Sequence, residues 1–342
     1  MSGRPPLVLP DEIRRLSEQM AAAARGEAFV LQMGDRVAES AADVEPNVVA
    51  GVRALLQAAL VLTYGIQVPV TKICRLPVRD DEALGAHSVT ALNMVRAMTR
   101  TGGVADVRQV QRWNQEFVRT TEAGARYAAL ARRIDRVMRF MSAWPVDDTP
   151  LRTTRIFAGH EVPPRDHELP PPCPEKAADP VPWDLSAHFL WLGERSREKE
   201  EPDFSFVESL ANPVGLEIGP GTLPEEAVES VRRLDPHFRP GRVTLMSAMG
   251  SERVRDVLPP IVEKVTASGH QVVWQCDPVR KNFLESPDGR KNSSLLQLFD
   301  EVCGFFEVHR SLGTYPGGIR IELADGNVAV ELAFLISESL RG

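Results

Sequence analysis

Residues 214–276 read VGLEIGPGTLPEEAVESVRRLDPHFRPGRVTLMSAMGSERVRDVLPPIVEKVTASGHQVVWQC, and this stretch decides the fold. Three short apolar runs, Val214–Ile218, Arg242–Met246 and Gln271–Gln275, are separated by two segments with helical spacing. Glu225–Leu234 sets Val228, Val231 and Leu234 on one face. Ser251–Ser268 does the same with Val254, Val257, Leu258, Ile261, Val262 and Val265. The runs are nearly continuously apolar, as strands covered on both faces must be. Thr222 and Ser251 stand where helix N-caps are expected, with proline or glutamate close behind.

The alternation continues in both directions. Ala28–Leu31, Val68–Cys74, Arg155–Ala158, His188–Leu192 and Ile319–Leu323 are further apolar runs, and 293–312 and 327–340 carry helical spacing. Eight strands alternating with helices predict an α/β fold, a (β/α)8 barrel. Residues 1–26 are set apart as an N-terminal helical arm, amphipathic over Asp11–Arg25, and 27–342 as the barrel. One or two extra helices are expected over 104–142, between the second and third strands. Residues 163–182 hold eight prolines and are expected to form an exposed loop.

The composition is that of an ordinary globular chain, with 43% hydrophobic and 25% charged residues in a length of 342, enough for a full core. A net charge of −7 argues against a partner bound through nucleic-acid phosphates or an anionic membrane surface. No secretory leader pattern opens the chain. The longest apolar run, Ala58–Tyr64, is too short to span a bilayer. Cys74, Cys173, Cys276 and Cys303 lie far apart, with no zinc-module spacing. A cytoplasmic protein with free thiols is expected.

In a barrel of this kind the reactive groups stand just past the C-terminal ends of the strands. Arg36, Arg75, Arg195, Arg280 and Arg320 fall at or near that rim, and Arg320 and Glu322 share one face of the eighth strand, with Glu322 able to point inward. Clustered guanidinium groups suit a small phosphorylated or carboxylated metabolite. The plainer alternative is that they pair with Asp35, Asp277 and Glu322. Ser186 and His188 lack a nucleophile-elbow pattern, and His270 and His309 read better as structural histidines.

Longer strings then become informative: 113–119 (WNQEFVR), 123–127 (AGARY), 184–188 (DLSAH), 254–265 (VRDVLPPIVEKV), 269–278 (GHQVVWQCDP) and 304–310 (GFFEVHR). On these the chain, from about Glu27 to Arg341, resembles the type II 3-deoxy-D-arabino-heptulosonate 7-phosphate (DAHP) synthases, the plant-like and phenazine-type class. The resemblance implies a (β/α)8 barrel with an N-terminal extension. It also implies an aldol-like condensation of phosphoenolpyruvate with erythrose 4-phosphate, at the entry to the shikimate pathway. A divalent metal (Mn, Co or Mg) held by Cys, His, Glu and Asp would polarise the aldehyde.

Carried over position by position, Arg75 matches a family arginine, and Glu194 and Arg195 match its Gly-Glu-Arg motif. The metal-binding Cys falls at Arg36 and the metal-binding His at Arg280. Glu322 keeps the Glu ligand, while the segment bearing the Asp ligand is cut short after Asn327. The family lysine after strand five is Glu217, the arginine of its Ser-Arg-Met-Gly motif is Ala248, and the loop after Arg75 is reduced to 76–80, with Arg79 a partial substitute. Arginine has no lone pair for a cation. These departures lead to the expectation of a diverged member with a degraded metal site, three of four ligands missing and no cofactor bound. Such a chain would act on a different anionic metabolite in secondary metabolism, in a pocket formed by Arg36, Glu217, Ala248, Arg280 and Glu322. The alternatives are a catalytically silent partner of a pathway enzyme or, less favoured, an active DAHP synthase. A homo-oligomer is expected in each case.

Overall fold

The structure is a computed structural model, and it describes residues 6–34, 44–76, 82–100, 106–144, 154–162, 182–193, 202–282, 284–285, 291–292, 294–323 and 325–340. Eight parallel strands close into a barrel: β1 (Phe29–Met33), β2 (Val70–Arg75), β3 (Ile156–Glu161), β4 (Phe189–Leu192), β5 (Val214–Ile218), β6 (Val243–Ser247), β7 (Val273–Cys276) and β10 (Gly318–Ile321). Neighbours pair in chain order, and β10 closes between β7 and β1. A two-stranded antiparallel ribbon, β8 (Leu284–Glu285) with β9 (Lys291–Asn292), follows β7. The chain is therefore a (β/α)8 barrel, and the boundaries of every predicted run fall close to those of its strand.

Outward residues such as Phe29, Leu31, Leu190, Leu216, Leu245 and Ile319 are buried under the helices, which explains the continuous apolar pattern. The helical layer is α2 (Val44–Ile66), α3 (Glu82–Thr99), α7 (Pro202–Glu208), α8 (Pro224–Leu234), α9 (Val254–Ala267), α10 (Leu295–Leu312) and α11 (Gly326–Ser339). Between β2 and β3 stand the added helices α4 (Val107–Thr120), α5 (Glu122–Ala125) and α6 (Ala128–Ala143). By length and composition α2 would suit a bilayer, beyond what the run Ala58–Tyr64 suggested. It is a wall of the barrel instead, burying Val52, Leu55, Leu56, Val61 and Leu62 in the main core. The cap residues differ from expectation. The side chain of Thr222 accepts the Gly219 N–H, and α8 starts after Leu223; Ser251 gives its N–H to Asn282, and α9 starts after Arg253. Most of the proline-rich segment lies outside the described residues.

Helix α1 (Pro10–Ala24) closes the N-terminal end of the barrel. Its Leu16, Met20 and Ala23 pack on the inward-facing Val30, Ile73, Phe157, Phe189, Trp191, Met246 and Val273. Gly241, at φ +70°, permits this approach, since a Cβ there would stand 2.3 Å from the Met20 carbonyl carbon. The apolar face of the arm is thus spent on its own barrel. Glu12 anchors the helix: it accepts the N–H of Leu9 (2.9 Å) and a guanidinium N–H of Arg96 (2.8 Å), and it lies 3.7 Å from His188 Nε2. The nearby His188 ring, with the Leu9 N–H and Arg96, outweighs burial and holds the carboxyl at about 2. Because this value lies below that of the unfolded chain, the contribution is complete above about pH 4.5 and is lost as pH falls toward 2. Glu12→Gln is expected to cost about 1 kcal/mol at pH 7 and almost nothing near pH 2, measured by urea unfolding at the two pH values. An equal cost at both would contradict the assignment.

Candidate active site

Strand parity decides which side chains meet inside the barrel. Arg75 on β2, Glu161 on β3 and Glu217 on β5 share the inward face. Just past the ends of β7 and β10, Asp277 and Glu322 join them, with Arg320 one layer below on β10. Arg320 is 1% exposed. Its Nη1 donates to Glu217 Oε1 at 2.6 Å and lies 3.4 Å from Asp277 Oδ2, while its Nη2 and Nε donate to Glu322 Oε1 at 2.6 and 2.9 Å. Arg75 donates from Nη1 to both oxygens of Glu322 at 2.7 Å and holds Nη2 3.6 Å from Glu161. Arg280 donates to Glu217 from above (2.8 Å to Oε1). Trp191 forms the base, its ring 4.7 Å from the Arg320 guanidinium carbon and 5.2 Å from that of Arg75. Gly34 leaves room for Arg75, because a Cβ there would stand 2.5 Å from the Arg75 Cβ.

The electrostatics follow from this packing. Burial raises the Glu322 carboxyl, but Arg320 and Arg75 outweigh it and hold the group below the usual carboxylate range. Burial likewise opposes the charge on Arg320, yet Glu322, Asp277 and Glu217 keep it firmly protonated. Asp277 is pushed up to about 6, chiefly by burial, with Arg320 acting against the rise. The three guanidinium groups differ in access. Arg320 is sealed, whereas the side chains of Arg75 and Arg280 are 13% and 26% exposed. An anion entering the barrel therefore meets Arg75 and Arg280, which are held from behind by carboxylates.

The structure thus brings together six of the residues singled out in the sequence, Arg75, Glu217, Asp277, Arg280, Arg320 and Glu322. Ala248 is buried just past the end of β6, its N–H bonded to the Ile218 carbonyl. Arg36, Arg79, Glu194 and Arg195 lie outside the described residues. His270 bonds Ser268 and the Asp235 carbonyl, and His309 bonds Thr314 among aromatic rings, so both serve packing. Sequence reasoning missed Glu161 and Trp191. The third run was closed at Ala158, although the parity Phe157, Gly159, Glu161 points the glutamate inward.

A divalent metal of the kind the resemblance implies needs several N, O or S donors around one point. Among the described residues, no three His, Cys, Asp or Glu side chains gather in such an arrangement. Glu322 has its oxygens occupied by Arg75 and Arg320. The described residues do not fit the family ligand set, and no step is derived through a metal here.

The chain matches the model of the Class-II DAHP synthetase family over residues 1–78 and 82–333. It is 44% identical over 410 aligned positions to "Phospho-2-dehydro-3-deoxyheptonate aldolase AroG" of Mycolicibacterium smegmatis, covering 98% of this chain and 88% of that protein. It is 38% identical over 364 positions to "Phospho-2-dehydro-3-deoxyheptonate aldolase" of Streptomyces coelicolor, covering 95% and 80%. Identity at this level over nearly the whole chain overturns two expectations from the sequence. The first is of a diverged chain turned to another anionic metabolite, or silent beside a pathway enzyme. The second is of a chain without a cofactor, since the condensation that this kinship supports is, by the family resemblance, a metal-dependent one. A few rim substitutions do not outweigh a family match that runs over 1–78 and 82–333. The chain belongs to the Class-II DAHP synthetase family.

Proposed function

We propose that the chain catalyses the aldol-like condensation of phosphoenolpyruvate with erythrose 4-phosphate, the ordinary reaction of its family. The 44% identity to the aldolase of M. smegmatis over 98% of the chain carries this reading. The geometry supports it: a barrel mouth with Arg75 and Arg280 within reach of solvent suits a substrate that bears both a carboxylate and a phosphate. Arg195 and Arg36 are the further candidates for the phosphates, and Glu194 is a further candidate residue of the site. The charge reversal at Glu217 is accommodated locally, because Arg280 and Arg320 both bond it. In this reading the residues at 217, 248 and 280 reshape the mouth while the reaction persists.

Association between copies is part of the same proposal, supported by the exposed Val137, Phe140, Met141 and Trp144 at the end of α6. So is a cytoplasmic setting, supported by the burial of α2 in the barrel wall. The test is direct: purified protein given both substrates is expected to consume phosphoenolpyruvate and release phosphate in equal amounts, and no consumption would overturn the reading.

A further inference from the structure

Two loops at the mouth are tied together by a side chain from the outer helical layer. Glu301 of α10 is fully buried. One of its oxygens accepts the N–H groups of Met249 and Gly250, both at 2.9 Å, in the loop after β6. The other accepts Asn282 Nδ2 at 2.5 Å, in the turn after β7. Asn282, itself 6% exposed, donates through the same nitrogen to the Pro278 carbonyl at 2.7 Å, and its Oδ1 accepts the Ser251 N–H at 3.2 Å. The turn so closed, 277–282, contains Arg280, whose N–H is turned toward Asp277 Oδ1 at 3.3 Å. At the near end of both loops the Asp277 N–H bonds the Ser247 carbonyl at 2.7 Å.

A buried carboxylate held only by N–H donors is costly to keep unless its acceptors are all used, and here both oxygens are. The arrangement has a defined polarity. Asn282 must present its amide nitrogen to Glu301 and its oxygen to Ser251, so neither side chain tolerates an inverted donor pattern.

We propose that Glu301 and Asn282 are positioning residues, a strut that fixes the loops after β6 and β7 so that Arg280 is held over Glu217 at the barrel mouth. The proposal rests on the condensation reading for its kinetic consequence, and on geometry alone for its structural one. Neither residue touches the mouth itself; a misplaced guanidinium costs binding because the geometry of the contact is lost.

The test uses Glu301→Gln, Asn282→Asp and the double variant. In Glu301→Gln, two amide nitrogens face each other. In the double variant, the carboxylate introduced at position 282 accepts from the amide introduced at position 301 and from the Ser251 N–H, which restores those two contacts but leaves the Pro278 carbonyl without the donor it has in the wild type. Glu301→Gln is expected to raise KM for phosphoenolpyruvate about tenfold with a smaller change in kcat. The double variant is expected to recover part of that loss, because only the contacts to position 301 and Ser251 return, and Asn282→Asp alone, with two carboxylates opposed, to lose at least as much as Glu301→Gln. The Arg280 Nε–H resonance, read by NMR without substrate, is expected to shift in Glu301→Gln and return in the double variant. A wild type without turnover sinks the condensation reading and leaves the strut to be judged on this resonance. A Glu301→Gln protein that is less stable but unchanged in KM and in the resonance overturns the strut. If Glu301→Gln does not fold, a folded double variant with near wild-type values supports the strut, and one with no resonance from an ordered Arg280 overturns it.

Discussion

Arg320→Leu is expected to lower the unfolding free energy by about 3–5 kcal/mol, the range for removing one partner from a buried charge network. Leucine fills part of the volume but leaves Glu217, Asp277 and Glu322, each at most 8% exposed, facing one another. Arg75 and Arg280 remain as counter-charges. They already bond Glu322 and Glu217 and sit nearer the opening, so neither replaces a group that bonds both glutamates at 2.6 Å. Arg320→Lys is expected to fall between, because one ammonium on a flexible stem does not reproduce the fork. Guanidinium chloride unfolding reads the loss as a lower midpoint at unchanged slope. A Leu variant within about 1 kcal/mol of the wild type would show that the carboxylates are neutral in the fold and that the network is not ionic.

Arg75→Ala is expected to weaken phosphoenolpyruvate binding by about 2–4 kcal/mol, a factor of roughly thirty to a thousand, with a smaller effect on stability. The separation follows from position. Arg75 reaches solvent, whereas Glu322 in the variant retains the two bonds from Arg320. Arg75→Lys is expected to recover only part of the affinity, since the guanidinium both chelates Glu322 and lies over Trp191. Calorimetric titration with phosphoenolpyruvate reads the difference. An unchanged dissociation constant would remove Arg75 from the site and leave it a structural ion pair.

The barrel was legible because burial on both faces leaves a simple mark: runs such as 214–218 are apolar at nearly every position that helices or the barrel floor cover. The inward faces were less legible. Arg320 and Glu322 share parity within one strand and were placed together, but Arg75 lies 247 residues from Glu322 and meets it only through closure of the barrel. Glu161 escaped because its run was ended at the last apolar residue, when the next inward position but one was the charged one. Glu301 left no mark, since a glutamate among the apolar positions of an amphipathic helix reads as a surface residue until its donors are seen. A handful of rim residues says less about function than the kinship of the whole chain, and Glu217 shows how a buried charge at the mouth is balanced by its neighbours.

The most direct test of the central claim is the consumption of phosphoenolpyruvate by the purified protein with erythrose 4-phosphate, once with added manganese and once after treatment with a chelator. The account predicts turnover in the presence of manganese, with one phosphate released for each phosphoenolpyruvate consumed. Absence of turnover in both conditions would contradict it.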